Sequence, residues 1–545
     1  MLWIHAPGHA IMSEESKIAD TDASPAEGSG DKGKAPATTA TSSVVPGVDM
    51  SQPVGKLDKK TMDQLIRMNP SLKAETQGKD PAAVQKMLES MKLSELLAGM
   101  ATGKNAKDMA NYKFWQTQPV PRFDEDVSKQ EEGEIKKGDP DKVPKAPPPL
   151  LDEFEWCTVD LDNEDELGEV YTLLNGHYVE DDEAMFRFAY SSHFFKWALK
   201  SPGWRKDWHI GVRVKPKGDA KKGKLVAFIS AIPLTLKVRG TVLNCSEVNF
   251  LCIHKKLRGK RLAPVLIKEV TRRCNVEGIW QALYTGGAVL PTPISSCRYY
   301  HRSLDWLKLH EVGFSPMPPN SNKAKQITRY ALPSAPKTEG MRLMEQKDIA
   351  QVKDLLDRYL ARFEMLPVFS EEELEHWFLH KELPEDKVDE RVIWTYVVES
   401  TDEYAQDPKT KKITDFFNFY RLESSVINNA KHGMIRAAYL FYYATESAFD
   451  SSHKDGEASK KVLKARLNEL MHDALIIAKS LNFDVFNALT LLDNVHFLAD
   501  QKFGAGDGQL HYYLYNYRTA PIRGGMTEKM GLDDKHGSGI GMVML

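Results

Sequence analysis

The sequence predicts a mixed α/β protein: two α/β units in tandem behind an N-terminal tail too polar to fold. Three observations carry that expectation. The 545 residues allow two or three domains at roughly 100–200 residues each. With 42% hydrophobic and 9% aromatic residues, the chain can bury a large core. A strand, a helix and another strand follow one another on the same plan in both halves of the chain.

The tail comes first. MLWIHAPGHAIM has neither the basic start nor the continuous apolar run of a secretory signal, and it lacks the arginines of a transit peptide. Met12, followed by SEESKIADTD, is a plausible alternative start. From there to about Val54, Ser, Thr, Ala, Gly and Pro dominate, and such a composition cannot bury enough surface to offset chain entropy. Around Lys59–Met68 and Pro81–Met100 lie two short amphipathic helix candidates amid Gly and Lys. Residues 1–105 are therefore read as a mostly disordered tail.

Order begins near Tyr112. NYKFWQTQPVPRF is dense in aromatics, and the KKGDPDKVPKAPPPL after it reads as an extended surface connector. In the first half, residues 106–333, EVNFLCI is an apolar strand, HKKLRGKRLA a basic loop, PVLIKEVTRRC a helix and IWQALYT a further strand. In the second half, residues 334–545, SKKVLKARLNELMHDALIIAKSL places Leu463, Leu467, Leu470, Ala474, Ala478 and Leu481 on one helical face. FDVFNAL follows it as a strand, and ITRYALPSAPKTEGM is the expected junction between the halves.

Composition removes several function classes. The balance of 73 Lys+Arg against 76 Asp+Glu, a net charge of −3, argues against a dedicated nucleic-acid binder or a polybasic membrane protein. No stretch approaches the roughly 18 apolar residues of a membrane span, so a soluble protein is expected. Cys157, Cys245, Cys252, Cys274 and Cys297 are scattered and form no C-x-x-C, which fits a reducing compartment better than a disulfide framework. His376 and His380 are spaced i, i+4 without HExxH or a third ligand, so a helix face is the better reading and no metal is expected. Gly504-Ala505-Gly506-Asp507-Gly508 lacks the strand–turn–helix context of a nucleotide loop.

The first chemical signal is the basic loop His254–Arg261, between the apolar strand and a helix opening near Ala263–Pro264. Proline is favoured in a first helical turn. The exposed N–H groups there, with their partial positive charge, suit an anion such as a pyrophosphate. The spacing is not that of a Walker motif. A solvated basic turn and a nucleic-acid phosphate contact remain alternatives at this point, although the loop has no interleaved aromatics.

EVNFLCIHKKLRGKRLAPVLIKEVTRR, with QALYTGG and CRYYHRSL after it, closely resembles the eukaryotic glycylpeptide N-myristoyltransferases. KFWQTQPV, LNGHYVEDDEAMFRFAYS, FFNFY, AAYLFYYA, DVFNAL, FGAGDGQLHYYLYN and the ending GIGMVML match the same family in order, most like its fungal branch. The resemblance runs from about Tyr112 to Leu545 and leaves the tail uncovered. It implies a tandem of two acetyltransferase-like (GNAT) units around a saddle-shaped sheet. The first half would bind myristoyl-CoA and the second would contribute most of the peptide groove. It further implies an acyltransferase with myristoyl-CoA as co-substrate, no tightly bound cofactor and no metal. Its partners would be N-terminal glycine peptides and nascent proteins, with ribosome association through the tail. A cytoplasmic monomer is expected, with no stable membrane insertion and no requirement for nucleic acid. The rival readings are a catalytically idle acyl-CoA-binding scaffold and a GNAT-type N-acetyltransferase, whose short acyl group would leave an acyl tunnel without purpose.

The reaction sets its own requirements. A free α-amino group has a pKa of about 7.7–8.0, so near neutrality most of it is unreactive ammonium. A base, an oxyanion site and tight positioning are needed, but no covalent nucleophile. GIGMVML ends the chain without charge, which reads as a tail threaded into the core. The resemblance makes the Leu545 α-carboxylate the base, the backbone amides of Phe250 and Leu251 the oxyanion donors, and Asn249 and Thr285 guides for the amine. It assigns Tyr112, Lys113, Phe114, Trp115 and the strand residues Phe250, Leu251, Cys252 and Ile253 to CoA. Arg258, Gly259, Lys260, Arg261, Leu262, Ala263 and Pro264 match the phosphate loop, with Gly259 replacing the serine of many relatives. From the residues alone, Cys252 in its apolar run is a buried structural thiol. An acyl chain of roughly 12 methylenes at ~0.8 kcal/mol each brings about 10 kcal/mol at most. The implied peptide groove takes Tyr178, Val179, Asp181, Asp182, Phe186, Phe188, Tyr190, His301, Tyr420, Ser424, Tyr439, Asn487, Asp507 and Leu510. Asp181 and Asp182 would receive a basic side chain, or cap the following segment.

Overall fold

The structure, a computed structural model, describes Met109 and residues 112–545 apart from 180–184, 217, 219–221, 380–389, 401–410, 428 and 450–455. The expected tail over residues 1–105 with its two helix candidates lies outside the described residues, as do Asp181, Asp182 and His380. Among the described residues, Phe114–Leu545 form one compact unit, whereas Met109, Tyr112 and Lys113 belong to a second.

The strands of the larger unit are β1 (Gly133–Glu134), β2 (Phe154–Thr158), β3 (Phe186–Ala189), β4 (His209–Val214), β5 (Leu225–Val238), β6 (Thr241–Ile253), β7 (Ala282–Gly286) and β8 (Ser295–Ser303), then β9 (Met341–Leu343), β10 (Met365–Pro367), β11 (Ile393–Glu399), β12 (Ile413–Val426), β13 (Met434–Thr445), β14 (Val485–Leu489), β15 (Gly504–Tyr515) and β16 (Tyr517–Arg518). Three helices bear on the site: α1 (Glu164–His177), α2 (Leu262–Val276) and α3 (Gly456–Ser480). Fourteen strands make one sheet in the order β2-β4-β5-β6-β7-β15-β8-β14-β13-β12-β11-β9, with β10 on β5 and β3 on β12. β1 and β16 form a separate ribbon.

That order repeats one plan. β4, β5 and β6 run antiparallel, and α2 then crosses over to lay β7 parallel to β6. β11, β12 and β13 run antiparallel, and α3 lays β14 parallel to β13. A parallel pair needs such a crossover, which is why each passage reads strand–helix–strand. The two passages exchange partners at the centre. β15, from the end of the chain, pairs with β7; β8, from before the junction, pairs with β14; and β8 and β15 pair with each other.

Burial follows from this layering. The first eight residues of β5 are buried without interruption, as expected of a strand covered on both faces. α2 buries Leu262, Ala263, Leu266, Val270 and Cys274 at helical spacing. Its buried Glu269 carboxylate is bonded by Arg272 and Arg273 at 2.7 Å each. In α3, Leu463, Leu467, Leu470, Ala474 and Ala478 are buried, and so are Met471, Leu475, Ile476 and Ile477. The covered face is therefore wider than one stripe, and Leu481 lies past the helix end.

Candidate active site

The site begins with an irregularity in β6. On β5 only Ile229 lies between Phe228 and Ser230, but their partners Cys252 and Asn249 enclose both Phe250 and Leu251. The extra residue is a β-bulge, and Phe250 takes φ 55, a conformation that costs a bulky residue free energy and must be held by its surroundings. Aromatic packing holds it: the Phe250 ring lies 5.8 Å from Tyr178, 5.5 Å from Tyr190 and 5.6 Å from Phe195. Leu251 packs instead against a second buried cluster, which includes Leu266 and Val270 of α2.

Just before the bulge, β6 and β7 pair only at Ser246↔Ala282 and Glu247↔Leu283. Beyond that point the strands part, and a mostly apolar cavity of ≈ 200 Å³ lies between them. Trp115, Tyr178, Asn249, Phe250, Leu251, Cys252, Ile253, Arg258, Ala263 and Thr285 line it, together with Ile229, Ile267, Val270 and Ala288. Trp115 stacks on Tyr284 at 5.7 Å, and Tyr284 on Tyr513 at 5.0 Å. Phe114 packs edge-on against Trp115. Burial pushes up the pKa of the Tyr178 hydroxyl, outweighing the opposing influence of the Phe250 backbone. Burial also pushes the Cys252 thiol up to about 12, far from a thiolate nucleophile.

One rim of this cavity is cationic. Gly259 at φ 79 and Arg261 at φ 60 turn the chain into α2. Around Gly259 there is open space, so its conformation, not crowding, is what favours glycine there. Lys255, Lys256, Lys260 and Arg261 are exposed, and the Arg258 guanidinium donates to the carbonyl of His177 at the end of α1. Leu262 and Ala263 are buried at the start of α2, with Pro264 half-buried beside them. His177 and His254 lie with ring centroids 4.0 Å apart. Burial first, then His254, Lys255 and Arg258, pull the His177 pKa down to about 4. Burial, then Lys224, Lys256 and Arg258, lower that of His254. The cations concentrate a positive field at this rim.

Four of the expected groove residues, Tyr420, Tyr439, Asn487 and His301, fall on one rung of the sheet. Tyr420 faces Tyr439 across β12 and β13, Tyr439 faces Asn487 on β14, and Asn487 faces His301 on β8. Tyr420 and Tyr439 stack at 5.3 Å. His301 Nδ1 is 2.7 Å from Asn487 Oδ1, while its Nε2 and the Ser424 Oγ are buried and have no hydrogen-bond partner among the described residues. Such atoms call for a partner from elsewhere, a bound peptide included. Burial holds the His301 imidazole at about 4, against the pull of Asn487 and Asp507. Ser424 is paired with Phe188 of β3, and Phe188 packs on Tyr190 at 5.7 Å. Val179, Phe186 and Leu510 are buried. Tyr112 is buried and Lys113 exposed, both in the separate N-terminal unit.

The chain end is threaded through the core. Ile540, Met542, Val543 and Met544 are all buried, and Leu545 packs half-buried against the core. Ile540 C=O accepts from Leu492 N–H at 2.9 Å and Gly541 N–H donates to Met365 C=O at 2.7 Å. The Tyr512 hydroxyl donates to Met542 C=O at 3.0 Å, and Val543 N–H donates to the Tyr442 hydroxyl at 3.1 Å. Tyr512 is the cross-strand partner of Thr285, a cavity residue. Beyond Tyr439 and Asn487, β13 and β14 part as β6 and β7 do, and the tail bonds to Tyr442 on one side and Leu492 on the other.

Two family models match this chain: the N-terminal domain of myristoyl-CoA:protein N-myristoyltransferase over residues 134–297 and its C-terminal domain over residues 311–543. The chain belongs to the myristoyl-CoA:protein N-myristoyltransferase family. It is accordingly an acyltransferase with myristoyl-CoA as its acyl donor. The glycylpeptide N-tetradecanoyltransferase of Emericella nidulans is 56% identical over 515 residues, covering 94% of this chain and 99% of the relative. That of Saccharomyces cerevisiae is 50% identical over 464 residues, covering 85% and 98%. The crystal structure of the Saccharomyces cerevisiae N-myristoyltransferase with bound myristoyl-CoA aligns with a TM-score of 0.74 at 52% identity, over 79% of this chain and 94% of that one.

Among the described residues no three His, Cys, Asp or Glu side chains gather as a metal site, and no helix is long and apolar enough to cross a membrane. His376 Nε2 is 2.7 Å from the Trp197 carbonyl oxygen, a structural contact. Sequence reasoning passed over Glu247, Tyr442 and Tyr512, and the Trp115–Tyr284–Tyr513 stack. Glu247 had a signal, a lone carboxylate within the apolar strand CSEVNFLCI.

Proposed function

We propose that this enzyme joins myristate to an N-terminal glycine by direct attack of the amine on the thioester, with no acyl-enzyme. The observation that carries this reading is the bulge at Phe250–Leu251, which interrupts β6 where it borders an apolar cavity with a cationic rim. The acyl chain enters the cavity and the CoA phosphates meet Arg258, Lys260 and Arg261. The glycine ammonium gives one proton to the Leu545 α-carboxylate, guided by Asn249 and Thr285. Its nitrogen then attacks the thioester carbon, and the carbonyl electrons move onto an oxygen held by the Phe250 and Leu251 amides. As the C–S bond breaks, the second proton passes to the departing sulfur, giving the amide and free CoA. The first half, residues 106–333, supplies the acyl-CoA site, and the second, residues 334–545, most of the peptide groove through Tyr420, Ser424, Tyr439 and Asn487. His301 Nε2 and Ser424 Oγ find their missing partners in the peptide.

The test is acyl transfer to a Gly-starting peptide from acyl-CoAs of different lengths, followed by mass spectrometry. Transfer should peak near fourteen carbons and vanish with an N-acetylated peptide. Preference for acetyl-CoA would point to an N-acetyltransferase, and binding without turnover to a scaffold.

A further inference from the structure

Glu247 is a carboxylate in an unusual place. It lies on β6 two residues before Asn249, on the same face of the strand, and is only 6% exposed. Its strand partners are Ile232 on one side and Leu283 on the other. Among the described residues it joins no ion pair, and Asn249 Nδ2 donates to its Oε1 at 3.0 Å. The titratable groups that face it are the Tyr420 and Tyr442 phenols and the Cys245 thiol. Among the described residues no cation offsets its burial, so a neutral side chain would be the more stable choice.

An ionised carboxylate can only accept hydrogen bonds. Asn249 must therefore turn its NH₂ toward Glu247, which leaves its Oδ1 as the end of the amide available to the cavity it lines. A protonated Glu247 could donate instead, and the amide would be free to turn over and present its NH₂ to an incoming ammonium. We propose that Glu247 is a positioning residue for acyl transfer, fixing the Asn249 carboxamide so that its oxygen accepts from the substrate amine. This rests on the reading that Asn249 guides the amine. Geometry makes the case, and burial adds a consequence: it raises the Glu247 pKa to about 7, against the pull of Asn249. The orientation is thus secured above neutrality and loosened below it.

The test is the single-turnover transfer rate of wild type, Glu247→Gln, Asn249→Ala and the double variant from pH 5.5 to 8.5, at saturating myristoyl-CoA. The ratio of wild type to E247Q cancels the titration of the substrate amine. That ratio should reach about tenfold above pH 8 and shrink toward one below pH 6, with acyl-CoA affinity unchanged. The double variant should be no slower than N249A, because nothing remains to be positioned. A pH-independent ratio, or a double variant slower than N249A at every pH, would overturn the inference while leaving Asn249 in its role. A wild-type rate in N249A would overturn the reading of Asn249 itself and the inference with it. Should E247Q fail to fold, the ratio of wild type to N249A must show the same midpoint near pH 7 or the inference falls.

Discussion

Replacing the Tyr442 and Tyr512 hydroxyls, as Tyr442→Phe and Tyr512→Phe, should detach the chain end without touching the acyl-CoA site. Both side chains are fully buried at 0% exposure. Loss of the Tyr512 hydroxyl leaves the Met542 carbonyl without its donor at 3.0 Å, and loss of the Tyr442 hydroxyl leaves Val543 N–H without its acceptor at 3.1 Å. A buried main-chain group stripped of its partner costs ~1–3 kcal/mol. The two therefore cost about 2–6 kcal/mol in stability if the tail stays in place, and less than additively if it moves, because they hold one segment. Movement is what catalysis should feel, since a shift of about 1 Å in a reacting group can cost ~10²-fold in rate. Chemical denaturation reads the first effect and single-turnover acyl transfer the second, with myristoyl-CoA affinity by calorimetry as the control. A folded double variant with native stability and native rate would refute the idea that these hydroxyls set the position of the tail.

Two further outcomes follow from the same structure. Replacing Arg258, Lys260 and Arg261 together with Ala should weaken acyl-CoA binding by a few kcal/mol and flatten its dependence on salt; unchanged affinity by calorimetry would dismiss the loop as a phosphate site. Acid stability should depend on His209, which is fully buried and stacked on Trp204. Burial, outweighing the Leu199 carbonyl, lowers its pKa from 6.5 to about 4. Between those values the unfolded chain binds a proton that the folded one does not, so stability falls as pH falls. At 1.36 kcal/mol per unit this amounts to about 3 kcal/mol at most. Melting curves from pH 7 to 4 should show a shallower acid limb for His209→Phe than for wild type, and parallel limbs would contradict it.

The cavity walls were legible because they fall on contiguous strings. EVNFLCI and HKKLRGKRLA each carry strand or helix-start chemistry that local rules describe, and the structure places them on the cavity and its rim. The central exchange of β8 and β15 was not legible, since it depends on pairing between residues as far apart as Gly286 and His511. Tyr442 and Tyr512 sit in the runs AAYLFYYA and HYYLY, where neighbouring tyrosines look alike. Only tertiary packing decides that Tyr442 meets Val543 while Tyr443 meets Asn494 at 2.8 Å. Glu247 was passed over because alternation along a strand places a charge on the wet face by default. Here both faces are covered, and the default fails. The strand read as IWQALYT starts later, at Ala282, although the Gln281 carbonyl already accepts from Ser246 N–H at 3.1 Å.

The central claim is that the chain terminus itself is the base. Amidating Leu545 by semisynthesis removes the charge and keeps the side chain and its packing. Measured as the single-turnover transfer rate from pH 6 to 9, the amidated enzyme should be slower by ~10²-fold or more at neutrality, on the usual scale for a general base. Rising pH should partly restore it as the substrate amine loses its proton unaided, and myristoyl-CoA affinity should hold. A native rate across that range would contradict the account and assign the proton to another residue.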